Sequence, residues 1–458
     1  MLLILRAQKY WQILRILKSR YMTIRKKKIG IIGLWHLGCV VASSLADAEH
    51  NVIGTDFDQK ILEDLKNKKS PIQEPGLEEL LNKNIKKGTL VLTNSFQQAI
   101  TDVDFILIAF DTPVDSNDRL DLSPIYKACN LIAKYAPKKF TLVIMSQIPV
   151  GTSRELKKII LNKNKKLSFD IIYSPENLRL GEALKGFANP ERIIIGLEKH
   201  SIKQKAEELF SFIKAPKIYM DIESAEMTKH AINTYLATSI SFINELANLS
   251  EVLGVDIKKV IEGMKSDSRI GKRAFLNPGL GFSGGTLGRD IQVLRNFGKK
   301  LEIKTGLMDA VLKINKSRQE MLFKKINNIF SSLSGLNIGL LGLTYKAGTN
   351  TLRRSVAIEV ARKLISRGVN VSAFDPMISE KVNTIKKLKI SKSPYEIAND
   401  ADALILMTDW PEFRKLDFVK IRKIMKKVII IDMKNFLDTD MLKKLSFDYY
   451  GVGIKNIS

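Results

Sequence analysis

The sequence predicts an α/β protein: two doubly wound parallel-sheet domains joined by a central helical domain with one long helix. Three observations carry this. From Lys28 onward, short apolar runs alternate with helical segments; from Ser224 to about Lys265 no strand pattern is present; and after about Leu336 the opening pattern returns. Such alternation belongs to parallel sheets, whose strands are covered by helices on both faces and read as unbroken apolar runs. At 458 residues and 45% hydrophobic content, the chain has material for two or three ordinary cores. The expected divisions are 1–27 (a basic extension), 28–217 (the first α/β domain), 218–325 (the helical domain) and 326–458 (the second α/β domain).

The elements follow in order. Residues 1–28, "MLLILRAQKYWQILRILKSRYMTIRKKK", contain no acid. Three readings stand for them: an amphipathic surface helix, a targeting segment lacking the pattern of a signal peptide, or residues ahead of a true start at Met22. Then "KIGIIG" reads as a buried strand, "CVVASSLADAEH" as a helix and "NVIGTDFD" as a second strand. Further strands are expected at "VDFILIAF", "FTLVIMSQ", "FDIIYSPE" and "ERIIIGLE". "SAEMTKHAINTYLATSISFINELANLSEVLGVD" reads as one long helix closed by Gly254, a spine of the kind that forms dimer contacts. In the last third, "LNIGLLGLTYK" is strand and turn, "SVAIEVARKLISRG" a helix and "VNVSAFDP" a strand ending in Asp375.

Composition narrows the function. The net charge of +26 is spread along the chain, and no basic run is paired with stacking aromatics. A lysine-rich surface explains it better than a nucleic-acid site, although a positive potential would favour an anionic ligand. No apolar run approaches the roughly 18 residues of a membrane span. Two cysteines, Cys39 and Cys129, make neither a disulfide framework nor a metal cluster, which fits a reducing cytoplasm and no bound metal.

The motifs lie at strand ends. "GLWHLG" follows a strand and opens a helix, where a dinucleotide fingerprint belongs: Gly33 makes the tight turn, Gly38 lets helix and strand approach, and the helix start offers N–H groups to a pyrophosphate. Trp35 stands where the middle glycine is usual, and Leu37 completes the turn. Asp56, at the end of the second strand, is placed to hold ribose hydroxyls and to disfavour a 2′-phosphate, so NAD is expected over NADP. The returning pattern near Leu336 implies two Rossmann-like domains. Thr112 in "FDTPVD" and Gln147 in "SQIPVGT" also follow strands, where ligands bind or ordinary turns occur. Glu176 in "YSPENLRLGEA" is a general base or a loop acid. Lys229 and Asn233, spaced i, i+4, share a helix face that stabilises an alkoxide or is a polar stripe. "DSRIGKRAFLNPGLGFSGGTLGRD" gathers Arg269, Phe275, Leu276, Gly281, Thr286 and Asp290 in a glycine-rich loop, which implies backbone wrapped closely round a ligand or several tight turns.

Together these segments resemble the UDP-glucose/GDP-mannose dehydrogenase family over nearly all of residues 28–455. "SPIQEPGLEELL", "SAEMTKHAINTYLATSISFINELA", "RIGKRAFLNPGLGF", "GLTYKAGTNTLRRS", "ADALILMTDWPEF" and "IIDMKNF" carry the likeness, in order. The resemblance implies oxidation of a sugar CH2OH to a carboxylate in two NAD-dependent steps, a last domain that binds the nucleotide, UDP-glucose as the default substrate, and a homodimer through the central helices. By position it implies Glu176 as acid/base, Lys229 and Asn233 as the oxyanion and water pair, and Asp290 as their assistant. Arg269, Tyr345, Lys346 and Arg353 fall to the sugar nucleotide, with Phe275, Leu276 and Gly281 of the loop. Gly33, Trp35, Leu37, Gly38, Asp56, Thr112 and Gln147 fall to NAD.

The departures are specific. Thr286 stands at the family's catalytic cysteine, Trp35 at a glycine, Leu180 where an acid is common, Arg289 at a lysine and Thr351 at an aspartate. A threonine hydroxyl is far less nucleophilic than a thiol without an adjacent base. Three readings follow: a dehydrogenase working without a thioester, stopping at the aldehyde or passing through its hydrate; a redox-neutral epimerase; or a non-catalytic nucleotide-sugar binder.

Overall fold

The computed structural model describes residues 26–112, 120–176, 178–283, 285–379 and 385–455. The extension read in residues 1–27 lies almost wholly outside them. The described residues fall into two compact units, one within residues 26–112 and 121–229, the other of residue 120 and those within 230–455.

The first unit is built on eight strands: β1 (Lys28–Ile32), β2 (Asn51–Thr55), β3 (Leu90–Leu92), β4 (Phe105–Ile108), β5 (Lys139–Ile144), β6 (Ser168–Tyr173), β7 (Ile193–Leu197) and β8 (Lys217–Asp221). Their order in the sheet is β3-β2-β1-β4-β5-β6-β7-β8. β1 to β6 are parallel; β7 pairs antiparallel with β6 and carries β8 parallel to itself. The chain runs outward in both directions from β1 and β4, so their carboxyl ends form the switch point where open α/β sheets bind ligands. β4, "FILI", is buried at every residue, as a strand covered on both faces must be. Helix α1 (His36–Asp47) lies directly after β1 and is buried at His36 through Ala46.

The long helix is α2 (Ile222–Leu253). Asp221 caps its start by accepting from Ser224 N–H and hydroxyl, and Gly254, at φ +68°, ends it. It is followed by α3 (Ile257–Ser266), α4 (Leu287–Lys300) and α5 (Gly306–Ile329).

The second unit contains a parallel sheet of β9 (Asn337–Leu341), β10 (Asn370–Phe374), β11 (Lys389–Ile390), β12 (Ala403–Leu406), β13 (Ile429–Asp432) and β14 (Asp448–Tyr450), in the order β11-β10-β9-β12-β13-β14. This repeats the order of the first six strands of the other sheet. The helix α6 (Val356–Ser366) follows β9 after a long turn. The middle helices share one core with this sheet: Ile243 and Ala247 of α2, Ile257 of α3 and Leu322 and Ile326 of α5 pack in a single cluster with Leu340, Leu404 and Ile430. Near the chain end, Gly453 lies against α2, where a Cβ would stand 2.7 Å from that of Ala247. Among the described residues, no helix is long and apolar enough to cross a membrane, and no cluster of His, Cys, Asp and Glu could hold a metal ion.

Candidate active site

The fingerprint turn is built by contacts that only glycine permits. Gly33 has φ +101° and donates its N–H to Thr55 O at 2.9 Å. At Gly38, a Cβ would stand 1.8 Å from Gly33 O, so the third glycine is required for helix α1 to close on the strand. Trp35, in place of the middle glycine, is 40% exposed. The turn fits a dinucleotide in its strand, its tight bend and its helix start. One donor at that start is shared within the chain, because Leu37 N–H is accepted by the Asp111 carboxylate at 2.9 Å.

Asp56 is buried, its Oδ2 accepting Leu34 N–H at 2.6 Å and its Oδ1 Asp58 N–H at 2.9 Å. Burial pushes its ionisation above the ordinary carboxylate range, against the pull of these amides. The second unit contains the same device: Asp375 directly follows β10 and accepts Leu343 N–H at 2.7 Å, as well as Thr344 N–H and Trp410 Nε1–H. In each sheet this acid closes the turn after the first strand. Thr112 and Gln147, after neighbouring β4 and β5, are brought together: the Thr112 hydroxyl donates to Gln147 O at 3.1 Å.

Glu176 and Lys229 also meet. Lys229 is buried on α2, and its Nζ donates to the Glu176 carbonyl at 2.6 Å. One turn earlier on α2, buried Glu226 accepts from Gly151 N–H at 2.5 Å, Ser153 N–H at 2.9 Å and Ser153 Oγ at 2.6 Å, fixing the start of the helix to the loop that follows Gln147. Glu74, in the "SPIQEPG" segment, accepts from Gly181 N–H at 2.8 Å and Ala183 N–H at 2.7 Å and lies 3.1 Å from His36 Nε2. It thereby joins the loop carrying Glu176 to the first residue of α1.

In the second unit the glycine-rich loop is clamped at its base. Gly279 N–H donates to Asn244 Oδ1 at 2.9 Å, and Gly279 O accepts from Arg318 Nε at 2.9 Å. Arg318 is almost fully buried and also donates to Asn248 Oδ1 at 2.5 Å; burial brings its guanidinium down to about 10. Phe282 exchanges two hydrogen bonds with the Asn315 side chain, at 2.7 and 3.0 Å. Gly281 has φ +84°, and a Cβ there would meet Asn315 Oδ1 at 2.2 Å. Leu276 is buried in the core, whereas Phe275 is 43% exposed. Arg269 is exposed and paired with Asp267 at 2.6 Å. Tyr345 is half-buried, its N–H donating to Thr351 O at 3.2 Å, while Lys346 and Arg353 are exposed.

Thr286 is exposed and immediately precedes α4, with no side-chain capping bond. Asp290, in the first turn of that helix, is fully buried and accepts from the Asn233 amide and from His230, at 2.9 Å. Neither cysteine can stand in for a thiol at Thr286. Both are buried; burial pushes Cys39 well up and Cys129 up to about 12. The residues absent from the sequence reading are Asp111, Glu74, Glu226, His230, Asn244, Asn315 and Arg318. His230 carried one usable signal, its position three residues before Asn233 on a helix face.

The sequence matches three domains of one family: the NAD binding domain over residues 27–214, the central domain over 223–317 and the UDP binding domain over 339–439. The chain belongs to the UDP-glucose/GDP-mannose dehydrogenase family. It is 34% identical over 430 residues to UDP-glucose 6-dehydrogenase TuaD of Bacillus subtilis, covering 93% of each chain. It is 35% identical over 434 residues to the UDP-glucose 6-dehydrogenase of Rickettsia bellii, covering 93% of this chain and 99% of the relative. Among solved structures, a UDP-glucose dehydrogenase from Pyrobaculum islandicum superimposes with a TM-score of 0.87 at 29% identity, over 94% of this chain and 99% of that one. A UDP-D-ManNAc dehydrogenase from Pyrococcus horikoshii gives 0.82 at 25%, over 93% and 99%. The expected family and the two-sheet α/β fold are thus borne out, and this dehydrogenase family accounts for NAD as the cofactor of the first domain.

Proposed function

We propose that this NAD-dependent nucleotide-sugar dehydrogenase acts on UDP-glucose and oxidises its CH2OH group to a carboxylate without a protein thioester. The observation that carries the reading is Thr286, a hydroxyl at the start of α4 and four residues before buried Asp290, with both thiols of the chain buried in cores. The UDP-glucose 6-dehydrogenases among the relatives support the substrate.

The division of labour follows from the side chains. Gly33, Trp35, Leu37, Gly38, Asp56, Thr112 and Gln147 hold the cofactor, and bound NAD supplies the hydride acceptor. Lys229, its ammonium held at the Glu176 carbonyl, stabilises the oxyanion formed as the hydroxyl loses its proton. Glu176 takes that proton. As the carbon also gives up a hydride an aldehyde forms, and water adds across it, its hydrogen going to the carbonyl oxygen and its hydroxyl to carbon, with Asn233 and Asp290 orienting it. Once Glu176 has released its first proton to solvent and the reduced cofactor has been exchanged for a second NAD, the gem-diol loses a proton to Glu176 and a hydride, leaving the carboxylic acid, which ionises. Thr286 contributes a hydrogen bond to the hydrate rather than a covalent link. Arg269, Phe275, Leu276, Gly281, Tyr345, Lys346 and Arg353 bind the sugar nucleotide, Leu276 through its backbone.

The functional unit is a homodimer. Tyr235, Phe242 and Leu249 recur at seven-residue spacing along α2 and are 72%, 47% and 58% exposed, an apolar stripe that a second copy would cover.

The test is turnover of purified protein with NAD and a panel of UDP- and GDP-sugars, with NADH and product both counted. Two NADH and one uronic acid per UDP-glucose are expected. One NADH with accumulated aldehyde would remove the second oxidation. A changed sugar with no net NADH, or tight binding without turnover, would replace the reading with an epimerase or a binder.

A further inference from the structure

At the start of α4 lies a cluster that adds His230, to which the sequence motifs assign no role, to Asn233 and Asp290. Asp290 and His230 are both fully buried. The two oxygens of Asp290 are held separately, Oδ1 by His230 Nδ1 at 2.9 Å and Oδ2 by the Asn233 amide. Arg289, the neighbour of Asp290 on α4, brings its Nε to 3.8 Å from Oδ1. His230 and Arg289 both act on Asp290 to favour its charged form. The next residue of α4, Ile291, packs against Ala237 of α2 and Val311 of α5.

Burying a carboxylate costs several kcal/mol unless partners compensate. Here burial works against the charged form, but the hydrogen bond from His230, the Arg289 charge and the Asn233 amide outweigh it and hold Asp290 below the ordinary carboxylate range. His230 and Asn233 lie three residues apart on one face of α2, so a single helix grips both oxygens. The grip reaches the catalytic loop, because Asp290 N–H donates to Thr286 O at 3.2 Å.

We propose that His230 is a positioning residue: it holds Asp290 as an anion in one orientation, so that Asp290 serves the oxidation as a fixed negative charge that orients water, while Glu176 takes the protons. The inference rests on the oxidation proposed above. It also assigns the loop a second anchor, beside the Arg318 clamp at its base, at the turn that carries Thr286.

The test compares His230→Leu, which removes the ring nitrogens, with His230→Asn, which keeps a donor near Nδ1. In His230→Leu, the acid limb of kcat moves to higher pH, by on the order of one pH unit, with KM for UDP-glucose little changed; His230→Asn moves it back. A limb that stays in place in both variants, whatever the loss in kcat, overturns the proposal. Unfolding against pH without any ligand gives an independent readout. A depressed carboxylate contributes stability that is fully present above its unfolded value and is lost as pH falls through its folded value. That acid-range loss shrinks in His230→Leu and returns in His230→Asn; parallel curves for all three proteins would again overturn the role. If His230→Leu does not fold, His230→Gln, which moves its donor away from Nδ1, takes its place. Wild-type protein that turns over no sugar nucleotide refutes the oxidation, while the unfolding curves still decide the role of His230.

Discussion

Thr286 puts a hydroxyl where a helix start would make a thiol reactive. Unpaired N–H groups and the helix dipole lower the pKa of a thiol at such a position. Thr286→Cys is therefore expected to react with iodoacetamide in the native protein far faster than Cys39 or Cys129, as peptide mapping of the labelled protein would reveal. Equal labelling of all three would mean that the loop is not open to reagents. Thr286→Ala is expected to keep kcat within about tenfold of wild type, because one hydrogen bond is lost and no covalent step; a loss of a thousandfold in steady-state NADH formation would restore Thr286 as a nucleophile. At this scale the sequence was readable where a motif fixes the residue and opaque where partners come from afar. The position of Asp56 was legible from its strand end, but its amide partners were not. Only its counterpart Asp375, bonded in the same way to Leu343, exposes the turn-closing work that both acids do. His230 lies in a quoted helix segment but has no role of its own there, and its meaning depends on Asp290, sixty residues away in the chain.

The fingerprint turn and the catalytic loop are held by different physics. In the turn, α1 and β1 meet at Gly38, with no room for a methyl group. Gly38→Ala is expected to abolish NAD binding in calorimetry while leaving UDP binding by the second unit in place; loss of both would mean general unfolding. In the loop, Gly281 combines a positive φ with the Asn315 contact, so Gly281→Ala adds backbone strain and a clash. A loss of about 2 kcal/mol in urea unfolding is expected, and a change within error would show that Asn315 simply moves aside. The long helix and its Gly254 stop were legible because periodicity and a terminating glycine agree. The reversal of β7 and β8 was not, because a buried apolar run carries no direction. β3 and β11, at three and two residues, are too short to leave a pattern.

For the whole molecule, both sheets were predicted because their strand–turn–helix openings repeat, and the shared order outward from β1 and β9 is the structural form of that repetition. The sequence did not reveal that the middle helices and the second sheet share one core, since that depends on contacts such as Gly453 against Ala247. Assembly is tested at this scale as well. Tyr235→Lys combined with Phe242→Glu is expected to convert a dimer to a monomer in light scattering, with secondary structure intact; an unchanged mass would place the interface elsewhere. The central claim, that this family member completes its oxidation without a thiol, is tested most directly by the NADH yield per UDP-glucose after the native protein has been exhaustively alkylated. Two NADH per sugar, at an unchanged rate, is the expected result. Loss of the second NADH on alkylation, or an acyl group trapped on Cys39 or Cys129, would contradict it.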